Sequence, residues 1–160
     1  MKRALFPGAF DPPSLGHLDI IERGSKICDQ LVVAVAVNPA KQDSSSFTTE
    51  EKIGMLKEIS RPFSKVEVVS FSGLVVEYAK KNKIDFLIRG LRAFSDFEYE
   101  FRMALANRLV SGLETTFLMA DARHAHISST LIREFAHYKT RLHAFVPEAI
   151  EARVFERLSN

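Results

Sequence analysis

Four short stretches of this 160-residue sequence place phosphate-handling residue types at a turn or a helix start. The segment Phe6 to His17, FPGAFDPPSLGH, leaves an apolar run through a Gly- and Pro-rich turn and enters a stretch carrying Leu18, Ile20 and Ile21. Glycine just before a helix lets a phosphate approach backbone amides, and the helix N-terminus favours negative charge. His17 can then donate to a phosphate oxygen; the plainer alternative is a turn glycine and a capping histidine. Ile88 to Arg92, IRGLR, sets two arginines three residues apart around a flexible glycine. Each guanidinium presents a planar fork of donors, so the pair can grip two phosphate groups, although surface arginines usually just solvate. Ile127 to Arg133, ISSTLIR, starts a helix with three consecutive hydroxyls, suited to a terminal phosphate or simply to capping. Lys41, in NPAK, is a flexible point charge whose alternative is a solvated side chain.

Other chemistries are disfavoured by what is missing. There is no GxxxxGK(S/T) phosphate loop and no GxGxxG fingerprint, which argues against P-loop NTPases and ordinary dinucleotide oxidoreductases. His124 and His126 have HxH spacing, but no further His or Cys lies near them to complete a zinc site, so no metal ligands are assigned. The 22 Lys plus Arg against 20 Asp plus Glu leave a net charge of +2, too small for a general grip on nucleic acid or an anionic membrane. A single cysteine, Cys28, reads as a small buried thiol and fits a reducing cytoplasm. The N-terminal MKRALFPGAF is too short an apolar run for a signal peptide, and no run approaches the roughly 20 apolar residues of a membrane span. A cytoplasmic protein is expected.

The elements that must position these groups follow from patterning. With 46% hydrophobic residues and this length, one domain over residues 1–160 is expected. Arg3 to Phe6, stopped by Pro7 and Gly8, and Leu31 to Val37 read as strands buried on both faces; Val66 to Val69, Phe86 to Ile88 and Thr116 to Met119 repeat the theme. Thr48 with Glu51 and Ser95 with Glu98 have capping-box spacing. After the second pair, Phe97, Phe101, Ala104, Leu105 and Arg108 predict one inward stripe on a long helix, ended by Gly112. Asp43 to Ser46 is a polar loop suited to movement. Strands alternating with helices predict an α/β, doubly wound, Rossmann-like domain with a five-stranded parallel sheet. Ligands bind such sheets outside the carboxyl ends of the strands, where all four stretches fall.

PGAFDPPSLGH resembles the HxGH or TxGH signature of the nucleotidyltransferase superfamily. With NPAK, FSGLVVEYA, IRGLR, DFEYE and ISST following in order across nearly the whole chain, the sequence is similar to bacterial phosphopantetheine adenylyltransferases. The resemblance implies an enzyme of coenzyme A biosynthesis that converts ATP and 4'-phosphopantetheine to dephospho-coenzyme A and pyrophosphate. It further implies a Mg2+ cofactor, a homohexamer and feedback by coenzyme A. Carried over onto this chain, it makes His17, Lys41 and Arg92 the catalytic group. His17 would hold ATP phosphates and stabilise transition-state charge, while Lys41 and Arg89 would hold the phosphate end of phosphopantetheine and Val75 and Ala9 would contact that substrate. ATP falls to Ala9, Phe10, Gly16, His17, Gly90, Leu91, Arg92 and Glu100, and to the loop His124, Ala125, His126, Ile127, Ser128, Ser129 and Thr130.

Three departures from the family pattern stand out. Ala9 occupies a position where the family usually has Thr or Ser, the first signature position is Ser14, and the loop after Lys41 is longer and lacks a familiar proline. Two other readings remain open at this point. One is a mononucleotide adenylyltransferase making NAD precursors, which Arg133 after ISST suits but IRGLR and DFEYE do not; the other is a silent nucleotide-binding module, hinted at by Ala9.

Overall fold

In a computed structural model the residues described are 1–38 and 44–160. Five parallel strands form one sheet in the order β3-β2-β1-β4-β5. They are β1 (Arg3–Gly8), β2 (Gln30–Val37), β3 (Val66–Ser72), β4 (Phe86–Leu91) and β5 (Glu114–Met119). The helices are α1 (Leu15–Lys26), α2 (Thr49–Ser60), α3 (Val75–Lys81), α4 (Phe94–Ser111), α5 (Ser129–His137) and α6 (Glu148–Leu158). The expected α/β, Rossmann-like class is what the chain adopts. Successive side chains of a strand point to opposite faces, so the apolar runs of β1 and β2 feed two cores at once. Ala4, Phe6, Leu31, Val33 and Val35 pack with Ile21, Met55, Leu56 and Ile150 on one face; Leu5, Val32, Ala34 and Leu87 pack with Val76 and Ala79 on the other.

Strand order reverses between β1 and β4, where pairing covers only Ala4 with Phe86 and Leu5 with Leu87. The strands diverge beyond that short ladder, and the cleft described below opens there. Pro7 and Gly8, expected to stop β1, instead continue it by pairing with Ala34 and Val35. Pro7 lies past the ladder to β4, so its missing amide breaks no bond on that side.

Of the two expected capping boxes, one forms. Thr48 Oγ1 accepts from the Glu51 amide at 3.2 Å while Glu51 Oε2 accepts from the Thr48 amide at 2.8 Å. Ser95 and Glu98 form no box: α4 starts at Phe94 with Ala93 as its N-cap, and Asp96 in its first turn reaches back to the Arg92 amide at 3.2 Å. The inward stripe on α4 is also corrected. No residue of α4 is buried, and Phe97, Phe101 and Leu105 are exposed, because the helix packs only on the β4–β5 side of the sheet and against α3 and leaves much of its apolar surface uncovered. Gly112 does end α4, in the left-handed region at φ 74°, which glycine adopts without steric cost. Cys28 is buried, its thiol donating to the Gly24 carbonyl at 3.3 Å. Ser45 and Ser46 of the polar loop are tied down by hydrogen bonds to Lys52 and Asp11; Asp43 lies outside the described residues. No described helix is long and apolar enough to cross a membrane.

Candidate active site

A cleft of about 380 Å³ lies at the switch point, walled by the β1–α1 loop, the first turn of α1, the end of β4, the start of α4 and the start of α5. At its centre is His17. Ser14 is the N-cap of α1, and its Oγ accepts from the His17 amide at 3.3 Å; in return the Ser14 amide donates to His17 Nδ1 at 3.1 Å. A backbone amide can only donate, so Nδ1 must carry its lone pair and the ring proton must sit on Nε2. Burial lowers the pKa of His17 from 6.5 to about 4, with the nearby Arg92 and Arg89 charges acting in the same direction. The imidazole is therefore neutral at physiological pH, with Nε2–H as the donor left for the cleft. The capping and ligand-facing roles open in the sequence are compatible: one nitrogen caps the helix and the other is free.

Phe10 fixes that ring from behind. It is buried in the left-handed region at φ 49°, its ring 4.8 Å from that of His17 and 5.4 Å from that of Phe6 at an interplanar angle of 87°. A Cβ at Gly8 would come within 2.9 Å of the Phe10 ring, so the glycine is required by this packing. Gly16 stands inside the first turn of α1 rather than before the helix.

Both arginines line the cleft, and each is held by a carboxylate of α4. Arg89 makes a two-pronged ion pair, Nε to Glu100 Oε2 at 2.8 Å and Nη2 to Glu100 Oε1 at 2.5 Å, and donates through Nη1 to the Pro7 carbonyl at 2.5 Å. Arg92 pairs with Asp96 at 3.1 Å and donates to the Ile127 carbonyl at 2.8 Å. A guanidinium has five N–H donors, so both retain donors for an anion. Gly90, expected as a flexible hinge, is instead within β4, where an added Cβ would meet Ile20 at 3.1 Å; it allows close approach of α1. On the far wall Ser128 caps α5, its Oγ accepting from the Leu131 amide at 3.1 Å, and Ile127 to Thr130 at the start of that helix line the cleft.

A second, mostly apolar cleft of about 220 Å³ adjoins the first and shares Ala9, Arg89 and Glu100 with it. Val75, Phe71, Leu87 and Met103 supply apolar walls, with Asn107 and the buried Thr115 hydroxyl as polar groups; Thr115 Oγ1 has no partner among the described residues.

Of the residues singled out by sequence, the main cleft gathers Ala9, Phe10, Gly16, His17, Arg89, Gly90, Arg92, Glu100, Ile127, Ser128, Ser129 and Thr130. Val75 lines the second cleft. Leu91 is buried and lines neither, its carbonyl accepting from the Ala120 amide at 2.8 Å. His124, Ala125 and His126 belong to the turn before α5 and line neither cleft; His126 packs edge-on to Phe145. Lys41 lies outside the described residues. Sequence reasoning missed Asp96, Met103 and Asn107. The i, i+4 spacing of Arg92 and Asp96 was the available sign for the first, and the 103, 107 repeat on α4 for the others. Among the described residues no cluster of His, Cys, Asp or Glu could hold a metal ion.

Comparison with known proteins gives a consistent result. Residues 5–135 match the cytidylyltransferase-like family. The chain is 46% identical over 158 residues to the phosphopantetheine adenylyltransferase of Caldanaerobacter subterraneus subsp. tengcongensis, covering 98% of both chains. It is 44% identical to that of Clostridium botulinum strain Hall, covering 94% of this chain and 91% of the relative. Among solved structures, a Vibrio parahaemolyticus protein described as a nicotinate-nucleotide adenylyltransferase superposes over 100% of both chains with a TM-score of 0.63 at 19% identity, a likeness of fold alone.

Proposed function

The chain belongs to the phosphopantetheine adenylyltransferase family, and from that premise we propose that it moves AMP from ATP to 4'-phosphopantetheine, giving dephospho-coenzyme A and pyrophosphate in coenzyme A biosynthesis. The observation that carries this reading is the pair of adjoining clefts: a polar one with His17, Arg92 and the start of α5, and an apolar one that meets it at Arg89. The first suits a nucleoside triphosphate. The second suits a thin, largely apolar amide chain whose phosphate end reaches the junction.

In the reaction, the phosphate of phosphopantetheine attacks the α-phosphorus of ATP and pyrophosphate leaves. Such phosphoryl chemistry needs positioning and charge stabilisation more than a protein nucleophile. The neutral His17 Nε2–H donates to an α-phosphate oxygen as negative charge grows there. Arg92 and the α5 amides hold the departing phosphates, and Arg89, with Lys41, steers the attacking phosphate. Glu100 and Asp96 keep the two guanidinium planes in place until substrate arrives. With both carboxylates occupied by arginines, the donor set fits magnesium entering on the phosphates of ATP, as part of that substrate, rather than in a side-chain cage.

The uncovered apolar face of α4 supports self-assembly, for which the family resemblance suggests a homohexamer, and coenzyme A, which contains the product, is proposed as a feedback ligand of the same clefts. An enzyme of this pathway with these substrates works in the cytoplasm. Arg133, the residue that suits a mononucleotide substrate, is engaged in donating to the Asp11 carbonyl at 3.0 Å. Pyrophosphate release, followed with ATP and magnesium, is expected with 4'-phosphopantetheine and not with nicotinate or nicotinamide mononucleotide. No release with any acceptor would favour a silent module, and release with a mononucleotide would favour the other enzyme.

A further inference from the structure

Asp11 sits at the crossing of three segments, and the proposed reaction as written leaves it without a task. Its carboxylate accepts from two successive amides across the chain, Ser46 N to Oδ2 at 2.9 Å and Phe47 N to Oδ1 at 3.0 Å. Lys52 Nζ lies 3.6 Å from Oδ1 and donates to Ser45 Oγ at 2.6 Å, and Ser45 Oγ donates in turn to the Phe47 carbonyl at 3.0 Å. Lys52 is 7% exposed, unusual for a lysine, and it is buried only because it is paired. The Asp11 carbonyl meanwhile accepts from Arg133 of α5. One residue thus joins the β1–α1 loop that carries Ala9 and leads to His17, the Ser45–Phe47 segment before α2, and the helix whose start lines the main cleft.

A surface turn rarely needs a buried lysine and a doubly engaged carboxylate. We propose that Asp11, with Lys52, is a positioning residue that sets the Ser45–Phe47 segment against the nucleotide loop, and so places the phosphate end of phosphopantetheine relative to ATP. The inference rests on the proposed reaction, because Lys41, assigned to that phosphate, stands four residues before Ser45 in the same connection. A cleft of about 440 Å³ lined by Ala9, Asp11, Ala36, Ser45 and Lys52 lies between the two loops, sharing Ala9 with the main cleft and both Ala9 and Ala36 with the second. Apart from Ala9 and Phe10, the residues assigned to ATP lie elsewhere, on α1, β4, α4 and the run into α5, so the network is expected to act on phosphopantetheine more than on ATP.

The test is the steady-state behaviour of Asp11→Asn. The amide keeps the size, but it presents NH2 to one of the two backbone donors and leaves Lys52 without its counter-charge. KM for phosphopantetheine is expected to rise at least tenfold while KM for ATP stays within threefold. Lys52→Met is expected to move the phosphopantetheine KM by about threefold to fivefold and Lys52→Arg to restore it, and this pair decides the matter should Asp11→Asn not fold. Equal changes in both KM values, or no change in either, would overturn the proposal. Wild-type protein that releases no pyrophosphate with phosphopantetheine would instead overturn the reaction, which keeps the two failures apart.

Discussion

Two helices that border the same cleft are built in opposite ways. α1 is complete within one chain: Ser14 and His17 cap it reciprocally, Ile20 and Ile21 are buried, and the imidazole is packed against Phe10 and Phe6. α4 is longer by half, contributes Asp96 and Glu100 to the cleft, and buries nothing; Phe94, Leu109 and Val110 are 91%, 88% and 72% exposed. Exposed apolar surface of that extent fits the self-assembly proposed for α4. The contrast separates the parts of the site by origin. The donor proposed to stabilise charge is packed entirely by its own chain, whereas the helix that restrains the two arginines and walls the second cleft leaves its apolar side chains exposed.

The largest expected effect bears on the α1 side. His17→Ala is expected to lower kcat by about 10² to 10³ with a modest change in ATP binding, since it removes a donor used in the transition state. Steady-state kinetics with a separate ATP binding titration check this. A loss confined to KM would show that His17 only binds.

A charged pair on the other helix tests the other half of the contrast. Leu109→Glu with Val110→Lys is expected to shift the mass in light scattering to a smaller species. It should weaken kcat/KM less than His17→Ala does, by about tenfold, through the phosphopantetheine cleft. An unchanged mass would show that α4 is not the assembly face.

The lowered pKa of His17 adds a pH signature to α1. Unfolded, the imidazole titrates near 6.5; folded, it resists protonation until about 4. As pH falls through that window the unfolded chain takes up a proton that the folded chain does not, so stability declines; above 6.5 this group adds no slope. The melting temperature of the wild type should therefore fall more steeply than that of His17→Gln between pH 6.5 and 4.5. Parallel curves would mean that the ring is not held neutral by the fold.

The smallest effect is expected at Ala9, which is exposed and shared by both clefts. Ala9→Thr should leave activity equal or raise it, because it adds the hydroxyl that the family resemblance leads one to expect there. A large loss would show that this corner is shaped around the methyl group.

Legibility in the sequence follows the same division. The buried runs of β1 and β2 and the Thr48–Glu51 box could be read because their cause is local: alternation, β-branching and two side chains three residues apart. His17, Arg92 and ISST were legible as cleft residues because each follows a strand or opens a helix, and Arg89 because it lies near the carboxyl end of one. α4 was misread because helical spacing of apolar residues says that a face will be covered and not by what. The end of β4 was misread because Arg89 and Gly90 look unlike a strand, and only the approach of Ile20 explains the glycine. Asp96, Met103 and Asn107 had a local sign that went unused, whereas the role of Asp11 is defined across space. Asp11 meets Ser46 and Phe47 thirty-five and thirty-six positions away, and no spacing rule encodes such a contact.

The central claim is most directly tested by competition in one tube, with ATP and magnesium and equal amounts of 4'-phosphopantetheine and nicotinate mononucleotide, and the adenylylated product identified by mass. Dephospho-coenzyme A formed one for one with pyrophosphate, with no adenylylated mononucleotide, is the result expected. An adenylylated mononucleotide as the main product, or no adenylylated product at all, would contradict it.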